Sequence, residues 1–264
     1  FVELQTNAVL IDEQYASALA SAGLTSAFVS LLSHIPEHHD ALCGLNGAFS
    51  KCLAGIDALL DAGIGVTLNP VTASITQEGV VDYVEFIGAR LPGVRHISLS
   101  AVQPHGRARK NLDLLPDYDV LKNQIPRALS RAKDLGITVL NPYCGLPLCV
   151  GWLGDIGHSV EAQEAISGQW SGPQGVDNSG NKSHGGPCQN CALRTRCGGA
   201  WHSYWSERDG SGISAPESLG HPWSENWEDT VYQSRIEVSD ISRAESALKY
   251  QRTPTRWVLS DDLK

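Results

Sequence analysis

Two stretches of this chain are near copies of each other. Gly63-Ile64-Gly65-Val66-Thr67-Leu68-Asn69-Pro70 is echoed by Gly136-Ile137-Thr138-Val139-Leu140-Asn141-Pro142. In each, a glycine ends a helical pattern, a short apolar run follows, and Asn-Pro stops it. The same alternation recurs along the first half of the chain. Strands are expected at residues 2–5, 25–32, 65–69, 96–102 and 137–141. Between them, helices are expected from the Asp12 cap to residue 22, then at 49–62, 80–91 and 117–135. On the second of these, Phe49, Cys52, Leu53, Ile56, Leu59 and Leu60 form one apolar stripe. Pro126 predicts a kink or break in the last. Strand–helix alternation of this length is the mark of right-handed βαβ units around a parallel sheet.

In parallel α/β architectures ligands sit at the carboxyl ends of the strands. Here those positions are Thr6, Asn7, Ser30, Ser33, Asn69, Ser98, Ser100, Gln103 and Asn141. All are polar, which suits hydrogen bonding to a polar small molecule.

The cysteines constrain the rest. Cys188, Cys191 and Cys197 stand in a C-x2-C-x5-C knuckle flanked by Gly186, Gly198 and Gly199. Such spacing turns three sulfurs toward one point, and flanking glycines let the backbone fold tightly around it. Zinc or an iron–sulfur cluster is the centre that needs it. A fourth ligand would come from Cys149 or Cys144. There are seven cysteines in 264 residues, an odd count in a long chain, which does not read as a secreted disulfide framework. A reducing, cytoplasmic setting is expected. The net charge of −9 argues against nucleic-acid or anionic-membrane partners. No long apolar run predicts a membrane span, and no signal-peptide pattern opens the chain.

In order, several segments resemble the radical S-adenosylmethionine (AdoMet) enzymes that carry a C-terminal cysteine-rich extension of the SPASM or twitch type. They are Leu4-Gln5-Thr6-Asn7, Phe28-Val29-Ser30-Leu31, Phe49-Ser50-Lys51-Cys52-Leu53-Ala54-Gly55-Ile56, Val66-Thr67-Leu68-Asn69 and Ile97-Ser98-Leu99-Ser100. Gly145-Leu146-Pro147-Leu148-Cys149 and the knuckle, ending Cys197-Gly198-Gly199-Ala200-Trp201, complete the series. The resemblance implies an α/β fold: a partial (β/α) TIM-like barrel, strands three onward, followed by a cysteine-rich, mostly irregular extension. The expected division is a barrel portion at 1–142, an auxiliary-cluster domain at 143–205 and a tail of open role at 206–264, where residues 231–249 suggest a helix.

The resemblance further implies AdoMet as cofactor, its cleavage to a 5′-deoxyadenosyl radical, and hydrogen abstraction from a peptide, protein or small-molecule substrate, as in a peptide maturase. A flavodoxin or ferredoxin would be the reductant. Ser30, Asn69 and Ser98 would lie near the ribose and methionine of AdoMet, and Lys51 near its carboxylate. Cys149, Cys188, Cys191 and Cys197 would ligate an auxiliary [4Fe-4S] cluster. Trp201 stands where the fuller pattern has a further cysteine, which points to one auxiliary cluster. The C-x3-C-x2-C loop of the catalytic cluster does not occur in this sequence, so no catalytic residue is assigned. The expectation is a portion of a longer enzyme. The alternative is a non-catalytic α/β binding protein with a structural zinc knuckle.

Other signals read as structure. Cys43 and Cys52 suit packing. His34, His38 and His39 are expected in a solvated loop, and Trp201, Tyr204 and Trp205 as a wall around the centre. Arg107, Arg109 and Lys110 make a short basic run after a strand end.

Overall fold

The computed structural model describes residues 2–103, 106–166, 181–216, 250–253 and 256–259. Five strands form one wholly parallel sheet: β1 (Glu3–Thr6), β2 (Ser26–Val29), β3 (Gly65–Leu68), β5 (His96–Ser98) and β7 (Thr138–Leu140). Their spatial order is β1-β2-β3-β5-β7, the order of the chain itself. The chain therefore crosses the sheet in one direction. Helices return it each time: α1 (Glu13–Ser21), then α2 (Pro36–Cys43) and α3 (Ala48–Asp61), then α4 (Val80–Arg90), then α5 (Tyr118–Asp134). This is the expected βαβ series, and it carries every strand's carboxyl end to the same edge.

Local chemistry sets the element ends. The Asp12 carboxylate caps α1 by accepting the Tyr15 N–H at 2.8 Å. Gly63 and Gly136 take positive φ where α3 and α5 turn back into strands. After β3, Pro70 can donate no ladder bond. The strands then resume as a separate parallel pair, β4 (Val71–Thr72) and β6 (Ser100–Ala101). The strand expected at 96–102 is thus two short ones, broken at Leu99.

Packing follows the apolar stripes. On α3, Phe49, Cys52, Ile56 and Leu59 are buried, while Leu53 and Leu60 lie at the margin. Burying a side chain the size of Ile56 or Leu59 contributes on the order of 1.5–3 kcal/mol. On α4, Tyr83 packs inward and its hydroxyl donates to the Leu31 carbonyl at 2.8 Å. On α5, Leu121, Ile125, Ala128 and Leu129 face the core on both sides of the exposed Pro126. The helix runs unbroken through the proline, because buried contacts on both turns outweigh one missing hydrogen bond. The histidine segment is also not a loop: Pro36 occupies the first turn of α2, and His39 is fully buried.

Beyond the sheet lie α6 (Val160–Ile166), the antiparallel pair β8 (Lys182–Ser183) and β9 (Ala200–Trp201), and α7 (His202–Arg208). Strands β10 (Tyr250–Thr253) and β11 (Arg256–Leu259) form an antiparallel hairpin. The helix expected at 231–249 lies outside the described residues. The start of α5 docks this region. Tyr118 stacks on Tyr204 with ring centroids 3.5 Å apart, and the Tyr204 hydroxyl accepts the Tyr118 N–H at 3.1 Å. Arg208 donates to the Leu115 carbonyl at 3.0 Å. One apolar core runs from the sheet through Leu146, Leu148 and Trp152 to Leu193. Among the described residues no helix is long and apolar enough to cross a membrane.

Gly55 marks the tightest helix approach. A side chain there would overlap the Ala8 carbonyl, in the turn where Ala8 takes φ 58°. Gly55→Ala gains about 1 kcal/mol of helix propensity but overpacks this contact, at a typical cost of about 1–3 kcal/mol. The expected result is a lower urea midpoint; an unchanged or higher midpoint would show that the turn yields freely.

Candidate metal centre

The knuckle is built from turns. Gly186, Pro187 and Cys188 form a 3-10 turn. The Cys191 N–H donates to the Cys188 carbonyl at 3.3 Å, and Arg194 N–H to the Cys191 carbonyl at 3.1 Å. Gly199, at φ 81°, lies against the Ser183 backbone, where no side chain fits. From upstream the segment after β7 supplies Cys149. Cys149, Cys188, Cys191 and Cys197 all line one small cavity. Leu148, Leu193, Ile213 and Ala200 wall it, with His184 and Arg194. The tryptophans expected as its wall serve elsewhere. Trp201 lies beside the Lys182 ammonium, 5.3 Å from ring centroid to Nζ, and Trp205 donates to the Ser183 carbonyl at 2.9 Å.

Each of the four sulfurs meets backbone N–H groups. Leu193 N–H points at the Cys191 sulfur and Gly199 N–H at the Cys197 sulfur, both at 3.4 Å. Leu148 adds a second donor to Cys197, Ser214 bonds Cys149, and Gly185 bonds Cys188. Backbone donors of this kind favour thiolate sulfur. Burial opposes them. It raises Cys188, pushes the Cys149 thiol up to about 11, and pushes the Cys197 thiol up to about 12, where the Glu161 charge adds to the effect. Without a cation the site therefore holds its protons, and loading a metal centre must release them. Among the described residues no three His, Cys, Asp or Glu side chains are placed to hold a single metal ion. The thiols surround a cavity instead.

A buried ion pair fixes the turn behind Cys197. The Lys182 ammonium lies 2.6 Å from Glu161 Oε1, and both side chains are more than nine-tenths buried. Glu161 Oε2 accepts the Gly198 N–H at 2.9 Å. A side chain at position 198 would press on this carboxylate. Helix α6 is thereby tied to the knuckle. The sequence carries no spacing signal for this pair, which sits 21 residues apart.

The two candidates for fourth ligand separate cleanly. Asn141 accepts the Leu146 N–H and donates to the Leu146 carbonyl, both at 2.9 Å. This clamp folds the loop so that Cys149 faces the cavity. Cys144 instead lies 3.2 Å from the Ser100 hydroxyl, at the strand ends. Ser100 donates to Asn69 Oδ1 at 2.7 Å, so the thiol is the donor to Ser100. The other expected cofactor residues are spread along the same edge. Ser30 follows β2, half-buried, and its N–H donates to the Thr6 carbonyl at 3.0 Å. Ser98 ends β5 and is buried. Lys51 is exposed on the first turn of α3. Thr6 and Asn7 are used locally, accepting the Ala8 and Val9 N–H groups, and Asn141 is used by its clamp.

The solved structure of native anSMEcpe with bound AdoMet superposes at a TM-score of 0.53, covering 93% of this chain and 75% of that one at 14% identity. Native anSMEcpe with bound AdoMet and Kp18Cys peptide matches with the same figures. This chain shares their fold. Among curated sequences, the PqqA peptide cyclase of Rhizobium meliloti (strain 1021) is 29% identical over 168 residues, 61% of this chain and 44% of that protein. The AdoMet-dependent heme synthase of Methanosarcina barkeri (strain Fusaro / DSM 804) is 29% identical over 119 residues, 45% of this chain and 34% of that protein. The chain thus spans less than half the length of these curated relatives. No family model matches it. The similarities support the radical AdoMet resemblance of the sequence.

Two measurements test the site's energetics. Lys182→Met strands the Glu161 carboxylate in the interior, and breaking such a pair costs about 3–5 kcal/mol. The double variant Glu161→Gln/Lys182→Met keeps an acceptor for Gly198 and should recover much of the loss in urea denaturation. Equal losses would show that the charges are not coupled. The second concerns pH. The unfolded chain releases thiol protons near the ordinary value of 9.0, while folded Cys197 holds its own to about 12. The stability this thiol lends is full below pH 9.0 and is lost as pH rises through the folded value. In metal-free protein, wild type should therefore lose stability above pH 9.0 more steeply than Cys197→Ala. Parallel profiles would remove Cys197 as the source.

Proposed function

We propose that this chain is part of a radical AdoMet enzyme of the SPASM/twitch type, with a peptide as the favoured substrate class. In this reading Cys149, Cys188, Cys191 and Cys197 hold an auxiliary [4Fe-4S] cluster. The observation that carries it is the gathering of four thiols, each with backbone N–H donors, around one apolar-walled cavity. Four thiolates are the donor set of such a cluster. When bound, the cluster supplies a one-electron acceptor beside the substrate.

The chain's own residues have separable tasks. The backbone donors balance the charge of the thiolates. Leu148, Leu193 and Ile213 keep water from them, which tunes such centres. At the strand ends Ser30, Asn69 and Ser98 form the AdoMet-facing edge. Asn69, its side-chain oxygen taken by Ser100, offers amide hydrogens there. Lys51 lies above this edge on α3, able to reach an anionic group from the surface. The partial barrel, the division at 142 and 205, a flavodoxin-like or ferredoxin-like reductant and a cytoplasmic setting belong to the same proposal. The cyclase relative and the peptide-bound anSMEcpe structure support the peptide class.

Anaerobic reconstitution tests the reading. Wild type should turn brown and retain about four irons per chain. Cys149→Ala and Cys197→Ala should lose most of this iron, whereas Cys144→Ala should keep it. A colourless protein with one zinc would favour the structural-knuckle alternative. Iron lost in Cys144→Ala but not in Cys149→Ala would reverse the ligand assignment.

A further inference from the structure

The cavity that gathers the four thiols has an uneven charge lining. Of the described residues that line it, Arg194 alone carries a permanent charge. Its guanidinium donates from Nη1 to the Cys188 carbonyl at 3.1 Å, which holds the side chain over the first turn of the knuckle. The other candidates are neutralised or set back. His184 is engaged through Nε2 with the Cys197 carbonyl at 2.7 Å. Lys182 is matched by Glu161 at 2.6 Å. Lys122 feels the Cys149 side but is bonded to the Ser214 hydroxyl at 2.6 Å and does not line the cavity. Tyr118 and Tyr204 stack behind the site as uncharged phenols.

We infer that Arg194 raises the reduction potential of the thiolate-held cluster by standing over it as a fixed cation. The inference rests on the cluster assignment of the preceding section. The physics is Coulombic. A four-thiolate iron–sulfur centre is anionic, and one-electron reduction makes it more so. A cation at fixed distance stabilises the more negative state more strongly, and a low-dielectric wall strengthens the effect. Arg194 therefore eases acceptance of an electron. It is a positioning residue of the electrostatic kind: it ligates nothing and need not touch substrate. Its bond to Cys188 keeps the charge in place, because a guanidinium holds a planar fork better than an ammonium does.

The test uses the full chain, reconstituted anaerobically, as wild type, Arg194→Gln, Arg194→Met and Arg194→Lys. Iron content and the visible spectrum come first, then a dye-mediated potentiometric titration with dithionite as the electron donor, followed by electron paramagnetic resonance. With equal iron in all four, both neutral variants should have lower midpoint potentials than wild type, and the lysine variant should recover most of the difference. Equal potentials at equal iron would overturn the inference while leaving the cluster assignment intact. Iron lost from the lysine variant as fully as from the neutral ones would make Arg194 a clamp on the Cys188 turn and overturn it too. Absence of cluster from wild type would overturn the cluster assignment itself, and this inference with it.

Discussion

A parallel sheet cannot be closed by hairpins, and this constraint organises the molecule. Each strand must be followed by a helix that carries the chain back before the next strand begins. Because β1, β2, β3, β5 and β7 lie side by side in chain order, all their carboxyl ends share one edge. Residues distant in sequence then become neighbours without any long-range motif. Asn69, Ser100 and Cys144 meet there in one hydrogen-bonded line. The same constraint delivers α5 last, and its first turn carries Tyr118 to Tyr204. The cysteine-bearing segment is docked through that contact.

One loop separates the two chemical environments. Residues 141–149 leave the last strand and pass from the strand edge to the thiol cavity. The Asn141 clamp on Leu146 decides which cysteine faces which side. Gly145 is required at the bend, since any side chain would strike Asn141 or the Pro142 carbonyl. The clamp gives a short route between a polar edge, suited to a small hydrogen-bonding cofactor, and an apolar cavity, suited to a thiolate-held centre.

Charge is handled differently in the two halves of the knuckle. Around the sulfurs the chain supplies backbone N–H dipoles and one guanidinium. Behind Cys197 it buries a complete ion pair. The pair does not counter the thiolates; it anchors α6 and fixes Gly198. The energetic reason is that a buried carboxylate near a thiol must be matched locally, or it would oppose ionisation of that thiol.

The sequence by itself determined the βαβ series, most helix limits and the grouping of Cys188, Cys191 and Cys197. These are local properties: apolar periodicity, glycine at helix ends, and cysteine spacing within one short segment. One error was local as well: the segment around His39 forms a helix because Pro36 suits its first turn and the core accepts the ring. Of the kink or break expected at Pro126, the break is absent, because packing on both sides holds α5 together. Tertiary structure alone decided what depends on separate segments meeting. It placed Cys149 with the knuckle and Cys144 at the strand edge. It paired Glu161 with Lys182, and it left Arg194 as the charged lining of the cavity. Cys149 is expected from its Gly145–Cys149 context, but the Glu161–Lys182 pair and the place of Arg194 have no sequence signature, because hydrogen-bond partners and burial arise only when the segments pack.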